Sequence, residues 1–200
     1  MNEGKLYSYL IDPLLRRMHT RTASLVQPGE QVLDLACGNG TLALMMAQKG
    51  AVVTGIDLSE KAIIYGEKRK EKNRLLNLTF MVSDATMRGN WTDTSYDVVV
   101  LSMALHQFSP SDITTILQMV NRIASHFIIL DYASPMTSRV SGKLATLIER
   151  LAGSEHYNNY KQYQERGGAV SLLKEQGMVP GFTMSGGGGV FQLIRGITAA

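Results

Sequence analysis

Val32-Leu33-Asp34-Leu35-Ala36-Cys37-Gly38-Asn39-Gly40 runs from an apolar segment through two glycines into Thr41-Leu42-Ala43-Leu44-Met45-Met46-Ala47. The apolar opening reads as a short strand buried on both faces, and the run after the glycines is rich in good helix formers. Strand, Gly-rich turn and helix in that order make a nucleotide-binding crossover. Glycine lets backbone approach a ligand closely, and the helix start offers N–H groups without partners inside the helix. Gly38, Gly40 and Ala43 match the spacing of the dinucleotide fingerprint. Asp34 argues for another ligand. It stands four residues before Gly38, inside the strand end, where it would repel a pyrophosphate and hold an ammonium or sulfonium. S-adenosylmethionine (SAM) has an adenosine, a positive sulfur and a free amino-acid head, and no phosphate.

The strand tips downstream repeat the signal. Residues 51–56 are β-branched and end at Asp57, nineteen positions after Gly38. In a βαβ unit the second parallel strand lies beside the first, so its tip reaches a ribose whose two hydroxyls can both donate to one carboxylate. Ser59 is placed to cap the next helix. Residues 78–83 form a third strand that ends at Asp84-Ala85. An acid at the ends of three successive strands is worth more than any single match.

Asp-x-x-x-Gly-x-Gly after an apolar strand resembles motif I of the Rossmann-like (class I) SAM-dependent methyltransferases, of the small-molecule type. The resemblance implies cofactor contacts at Asp34, Ala36, Gly38, Gly40, Asp57, Leu58, Asp84, Ala85 and Ser102, with Asp84 accepting from the adenine amino group. It also implies that Ala104-Leu105-His106-Gln107-Phe108 lies beside the transferred methyl.

Further along, residues 96–103 read as a central fourth strand and 126–130 as a fifth with Asp131 at its tip. Between them, Ser109-Pro110-Ser111-Asp112 is a helix start: a serine cap, proline at the first helical position and an acid three residues after the cap. Five alternations of strand and helix require parallel strands with right-handed crossovers. Residues 134–166 then interrupt the pattern with an extra helix, striped by Val140, Leu144, Leu147, Ile148 and Leu151, and a polar, aromatic run over 153–163. A helix opens at Gly167-Gly168 and closes at Gly177, and strands near 181–185 and 190–195 make a terminal antiparallel hairpin. The expected fold is therefore α/β: a doubly wound, mostly parallel seven-stranded sheet with a C-terminal antiparallel hairpin and a helical cap insertion.

All 200 residues fit one domain, with residues 1–26 as an N-terminal helical segment and 134–166 as a cap over the acceptor. Leu6, Leu10, Leu14 and Met18 form one stripe of the N-terminal segment, which Pro13 is placed to divide. In the resembled family such a helix often closes over the cofactor; packing on the sheet is the plainer reading. One cysteine excludes a disulfide framework, and with no signal-peptide pattern a cytoplasmic location is expected. No run approaches the roughly 20 apolar residues of a membrane span. The net charge of +3 is mild, and the dense Lys/Arg over 67–72 is interleaved with glutamates, so it reads as a solvated helix face.

A methyl donor that is already activated needs mainly positioning. His106 is the candidate base or acceptor-orienting group, with His19 and Asp131 ranked behind it, and His156, Tyr157 and Tyr160 are candidate acceptor contacts. No metal site is expected. Without an Asn/Asp-Pro-Pro-Tyr/Phe motif or a Pro-Cys nucleophile, a nucleic-acid acceptor is disfavoured and a small molecule favoured. The sequence leaves the oligomeric state open. It also leaves open a protein that binds SAM or its product without transfer, other SAM chemistry on the same fold, and an NAD(P)-dependent oxidoreductase. The last is opposed by Asp34, Asp84 and the terminal hairpin.

Overall fold

The computed structural model describes residues 12–87, 96–137 and 139–199. Seven strands form one sheet in the order β3-β2-β1-β4-β5-β7-β6. They are β1 (Gln31–Leu35), β2 (Val52–Asp57), β3 (Leu78–Val82), β4 (Tyr96–Ser102), β5 (Ala124–Tyr132), β6 (Val179–Gly186) and β7 (Phe191–Ile197). The first five are parallel; β7 runs antiparallel to β5, and β6 antiparallel to β7. The helices are α1 (Asp12–Ala23), α2 (Thr41–Gln48), α3 (Glu60–Asn73), α4 (Pro110–Ile123), α5 (Arg139–Leu151), α6 (Ser154–Glu165) and α7 (Gly168–Glu175), with a 3-10 turn at Leu105–Gln107.

The centre of the sheet follows from composition. Val32, Leu33, Leu35, Val98, Val99, Val100, Ile128 and Ile129 are buried because helices cover both faces of β1, β4 and β5. Strand order reverses at β1, where β2 lies on one side and β4 on the other. Asp34 stands at that switch point, level with Gly55 of β2 and Val100 of β4, and open α/β sheets bind ligands outside the carboxyl ends of their strands there.

The helix starts form as their residues dictate. Ser59 accepts from the Ala62 N–H, and Ser109 from the Asp112 N–H with Pro110 at the first helical position.

The structure differs from expectation in three places, while Leu6 and Leu10 fall outside the described residues, so whether Pro13 divides the N-terminal segment is not addressed by α1 (Asp12–Ala23). The insertion holds two helices, because Gly153 adopts φ 128° and ends the first, while the polar, aromatic run is helical and turns Tyr160 and Tyr163 inward at i, i+3 spacing. On α5 Ala145 and Glu149 are buried and Ile148 packs against the core, while Leu147 and Leu151 are half exposed, so these two members of the apolar stripe lie off the packed face. Finally, β5 runs on through Tyr132, which places Asp131 within the strand, paired in register with Gln192 of β7.

Candidate functional site

An open cavity of about 720 Å³ lies at the carboxyl end of β1, β2 and β4. Its wall includes Asp34 from β1, Ala36, Cys37, Gly38 and Asn39 from the first loop, Asp57 from the tip of β2, Ser102 from the end of β4, and Met103, Ala104 and Gln107 beyond it. Leu15, Arg16 and His19 of α1 close another side. The size suits a cofactor, since small-molecule sites run from roughly 300 to 1,000 Å³.

The glycine loop is shaped by a ring beneath it. Gly40 has φ 72°, and a Cβ there would stand 2.2 Å from Cζ of Phe80. One at Gly55 would lie 2.8 Å from the same ring and 3.1 Å from Cys37 Sγ. Phe80, on β3, therefore fills the space that two missing side chains leave and holds the loop against the sheet. Gly38, also left-handed at φ 54°, faces open space within the cavity. Ala36 and Met103 are non-glycine residues with φ 54°, and both line the cavity. Strain of this kind, about 1–3 kcal/mol per residue, concentrates where backbone meets ligand.

Asp34 carries the strongest signal. It is 1 % exposed, and neither carboxylate oxygen has a hydrogen-bond partner. Burial, reinforced by the Asp57 charge, pushes its carboxyl up to about 8; the Ala43 N–H opposes this weakly without reaching hydrogen-bond geometry. A buried acid without a partner is costly, and a cation delivered to this wall would relieve it.

Asp57 is already engaged. Gly38 N–H donates to one carboxylate oxygen at 2.7 Å and Ser59 N–H to the other at 2.8 Å. Each oxygen keeps a second lone pair. Asp57 therefore ties the tip of β2 to the glycine loop as well as presenting a carboxylate to the cavity. Asp84 accepts from the N–H and hydroxyl of Thr86, Ala85 is buried and Leu58 is exposed. These three lie off the cavity wall among the described residues. Cys37 is a small, part-buried residue whose thiol is pushed up, first by burial and then by the Asp34 and Asp57 charges.

The loop's surroundings are less hostile to anions than the sequence suggests. Arg16 and Arg69 both line the cavity, and Arg69 donates to Asn39 O and Thr41 Oγ1. Arg69 is twenty-eight positions from Thr41 and reaches it only because α3 packs beside α2.

Two imidazoles flank the β4 tip on different sides. His19 lines the cavity, and its Nε2 lies 3.0 Å from Ser102 Oγ. Burial lowers it to about 4, so it is neutral at physiological pH. His106 is 2 % exposed and off the wall, behind the turn that contributes Ala104 and Gln107. Its Nδ1 is 2.5 Å from Asp131 Oδ1. Burial acts to lower this imidazole, but the Asp131 and Glu149 carboxylates prevail and hold it above its ordinary value.

Behind the same turn, Tyr132 O–H donates to Glu149 Oε1 at 2.7 Å, and His156 Nε2 lies 2.9 Å from Glu149 Oε2. Tyr160 meets Tyr132 edge-on with ring centroids 5.3 Å apart. Arg150 donates to the Tyr157 hydroxyl and stands over its ring. So His156, Tyr157 and Tyr160 gather near His106 rather than on the cavity wall. Among the described residues, the insertion is bonded to the cavity rim by Asn159 Nδ2, which donates to Gln107 O at 2.8 Å. Glu149 and Arg69 had no sequence signal: each looks like a helix-surface charge.

Comparison with known proteins agrees with this geometry. The family model described as "Methyltransferase domain" matches residues 27–178. The chain is 33 % identical over 127 residues to a demethylmenaquinone methyltransferase of Beutenbergia cavernae, covering 62 % of this chain and 50 % of that protein. It is 32 % identical over 98 residues to an uncharacterized methyltransferase of Synechocystis, covering 49 % of this chain and 43 % of that one. The chain thus spans about half the length of the curated relatives it matches. The solved structure of magnesium protoporphyrin IX methyltransferase from Synechocystis, with bound S-adenosylhomocysteine, superposes at a TM-score of 0.68 with 22 % identity, over 94 % of this chain and 87 % of that one. With its glycine loop, acid-tipped strands and terminal hairpin, the chain belongs to the methyltransferase-domain family and has the class I fold of SAM-dependent methyltransferases.

Proposed function

We propose that the chain transfers the methyl group of SAM to a small-molecule acceptor that enters between α1 and the connection from β4 to α4. The observation that carries this reading is Asp34, a buried carboxylate without a partner on the wall of a cavity that Gly38 leaves open. The residues present suit SAM: Asp34 answers the cationic part of its amino-acid end, Arg16 offers a countercharge for its carboxylate, and Asp57 has lone pairs to spare for ribose hydroxyls. Asp84 with Ala85 beyond β3 is the reading for the adenine end. SAM supplies a methyl already activated on sulfur.

What the chain adds is position and the exclusion of water. Leu15, Met45 and Met103 give the cavity an apolar side. Holding the acceptor in line can supply several kcal/mol. His19, neutral and bonded to Ser102, is placed to orient an acceptor hydroxyl at the methyl end, while His106, sealed behind the turn, supports that turn. The α5–α6 insertion acts as a cap through its contact with Gln107. The demethylmenaquinone and magnesium protoporphyrin methyltransferases among the similar proteins favour a small acceptor. Among the described residues no helix is long and apolar enough to cross a membrane, and we read the chain as a cytoplasmic enzyme.

Calorimetric titration of the full chain with SAM and, separately, NAD tests the reading. Micromolar binding of SAM with none of NAD is expected. NAD binding without SAM binding would overturn it.

A further inference from the structure

The buried cluster behind the β4 turn has a geometry that hydrogen bonding alone leaves unfinished. We propose that His106 Nε2, the Glu149 carboxylate and His156 Nε2 form a binding site for one divalent transition-metal ion of the zinc type. One ligand atom from each residue lies within 4.8 Å of the other two. His106 Nε2 is 3.8 Å from Glu149 Oε1, and His156 Nε2 is 2.9 Å from Glu149 Oε2. Tetrahedral bonds of about 2.0–2.1 Å place neighbouring ligand atoms roughly 3.4 Å apart. The three groups therefore need only small side-chain adjustments to share an ion.

Three further observations point the same way. Glu149 Oε2 is buried and accepts no aligned hydrogen bond, despite the nearby imidazole. His106 directs its other ring nitrogen to Asp131, the outer carboxylate bond that metal-ligating histidines characteristically make. Glu149 is oriented in turn by the Tyr132 hydroxyl. The charges also balance: two neutral imidazoles, two buried carboxylates and one divalent cation sum to zero.

Two histidines and a glutamate form a three-ligand set that leaves a fourth position for water or another ligand, and mixed nitrogen and oxygen donors suit zinc and its neighbours better than magnesium or calcium. The ion would clamp α5 and α6 to the turn after β4, fixing Ala104 and Gln107 on the cofactor cavity. Sequence spacing hid this set, because forty-three and seven positions separate its members and no helix carries two of them.

The full chain, stripped with chelator and dialysed, should be titrated with Co²⁺ and Zn²⁺ salts without SAM. Expected results are one ion per chain, a four-coordinate visible spectrum with Co²⁺, and a higher melting temperature with Zn²⁺. His156→Ala, which removes the most exposed ligand (29 %), should abolish the spectrum. Asp131→Asn should weaken the affinity about 10- to 100-fold while keeping the ligands. Absence of the Co²⁺ spectrum and of thermal stabilisation in the wild-type chain would overturn the proposal. So would a His156→Ala variant that binds as the wild type does. The wild-type titration decides alone if a variant fails to fold.

Discussion

Replacing Asp34 with asparagine should separate the cost of this residue from its use. In the native state burial and the Asp57 charge raise the carboxyl from 3.8 to about 8, while in the unfolded chain it ionises normally. Between those values the native state holds a proton that the unfolded state has released, so rising pH erodes stability across this window. From pH 5 to pH 8 the loss spans three decades of ionisation, or about 4 kcal/mol at 1.36 kcal/mol per decade. Asparagine does not titrate, and its unpartnered amide costs roughly 1–3 kcal/mol at every pH. The variant should therefore match the wild type near pH 5 and exceed it at pH 8. In a chain of this length, the change in the gap corresponds to about 10 °C in melting temperature.

Calorimetric melts of both ligand-free proteins at pH 5 and pH 8 measure that gap. The same variant should bind SAM about 10- to 150-fold more weakly, because a charge-assisted contact worth roughly 1.5–3 kcal/mol is lost. Wild-type affinity should peak near pH 8, where Asp34 has become easy to ionise and the ligand's amino group, with a pKa of roughly 7.7–8.0, still carries its proton. A stability gap independent of pH, together with unchanged SAM affinity, would refute both the burial argument and the site assignment.

Asp57→Ala should weaken SAM binding at least tenfold and also cost about 1–3 kcal/mol of stability, because the carboxylate holds the Gly38 and Ser59 N–H groups; titration and denaturant unfolding read the two effects. Gly55→Ala should destabilise the chain by about 1–3 kcal/mol through collision with Phe80, and Phe80→Leu should recover part of that loss in a double-mutant cycle. His19 should stay neutral in an NMR titration down to about pH 5, and its loss of stability should begin as pH falls below 6.5 toward 4. His19→Ala should reduce turnover about fivefold or more, the worth of one ordinary hydrogen bond, with little change in SAM affinity.

What could be read from sequence were features that local chemistry enforces. Periodicity separates strands from helices, Ser59 and Ser109 announce helix starts, and the alternation of strands and helices makes the first five strands parallel, though not their order. The cavity wall was legible in part for the same reason: Asp34, Gly38 and Asp57 sit at strand ends that the topology brings together, whereas Asp84, Ala85 and Leu58 lie off it. The packing of the insertion was not legible. Whether α5 turns Leu147 or Glu149 inward depends on what it packs against, and a charged residue facing in inverts the usual reading of an apolar stripe. The sequence ranks His106 above His19, yet His19 is the one that lines the cavity, because α1 crosses the β4 tip through a contact eighty-three positions apart in the chain.

The side-chain atoms that the fold leaves buried and unpartnered fall on two residues among those described, Asp34 and Glu149. Both are carboxylates, and both stand at the carboxyl end of the sheet, on opposite sides of the turn through Leu105–Gln107. Burying a polar side chain without a partner is costly, so these two carboxyl groups are places where stability has been given up. A buried carboxylate that no N–H or O–H donor reaches can be satisfied by a cation that enters beside it. For Asp34 the cavity is open and wide enough for an organic cation such as the amino-acid end of SAM. For Glu149 the space is closed and bounded by two imidazoles, which suits a bare metal ion. The carboxyl end of the sheet thus presents two under-satisfied carboxyl groups of different reach, and the turn between them is the element on which both ligands would act.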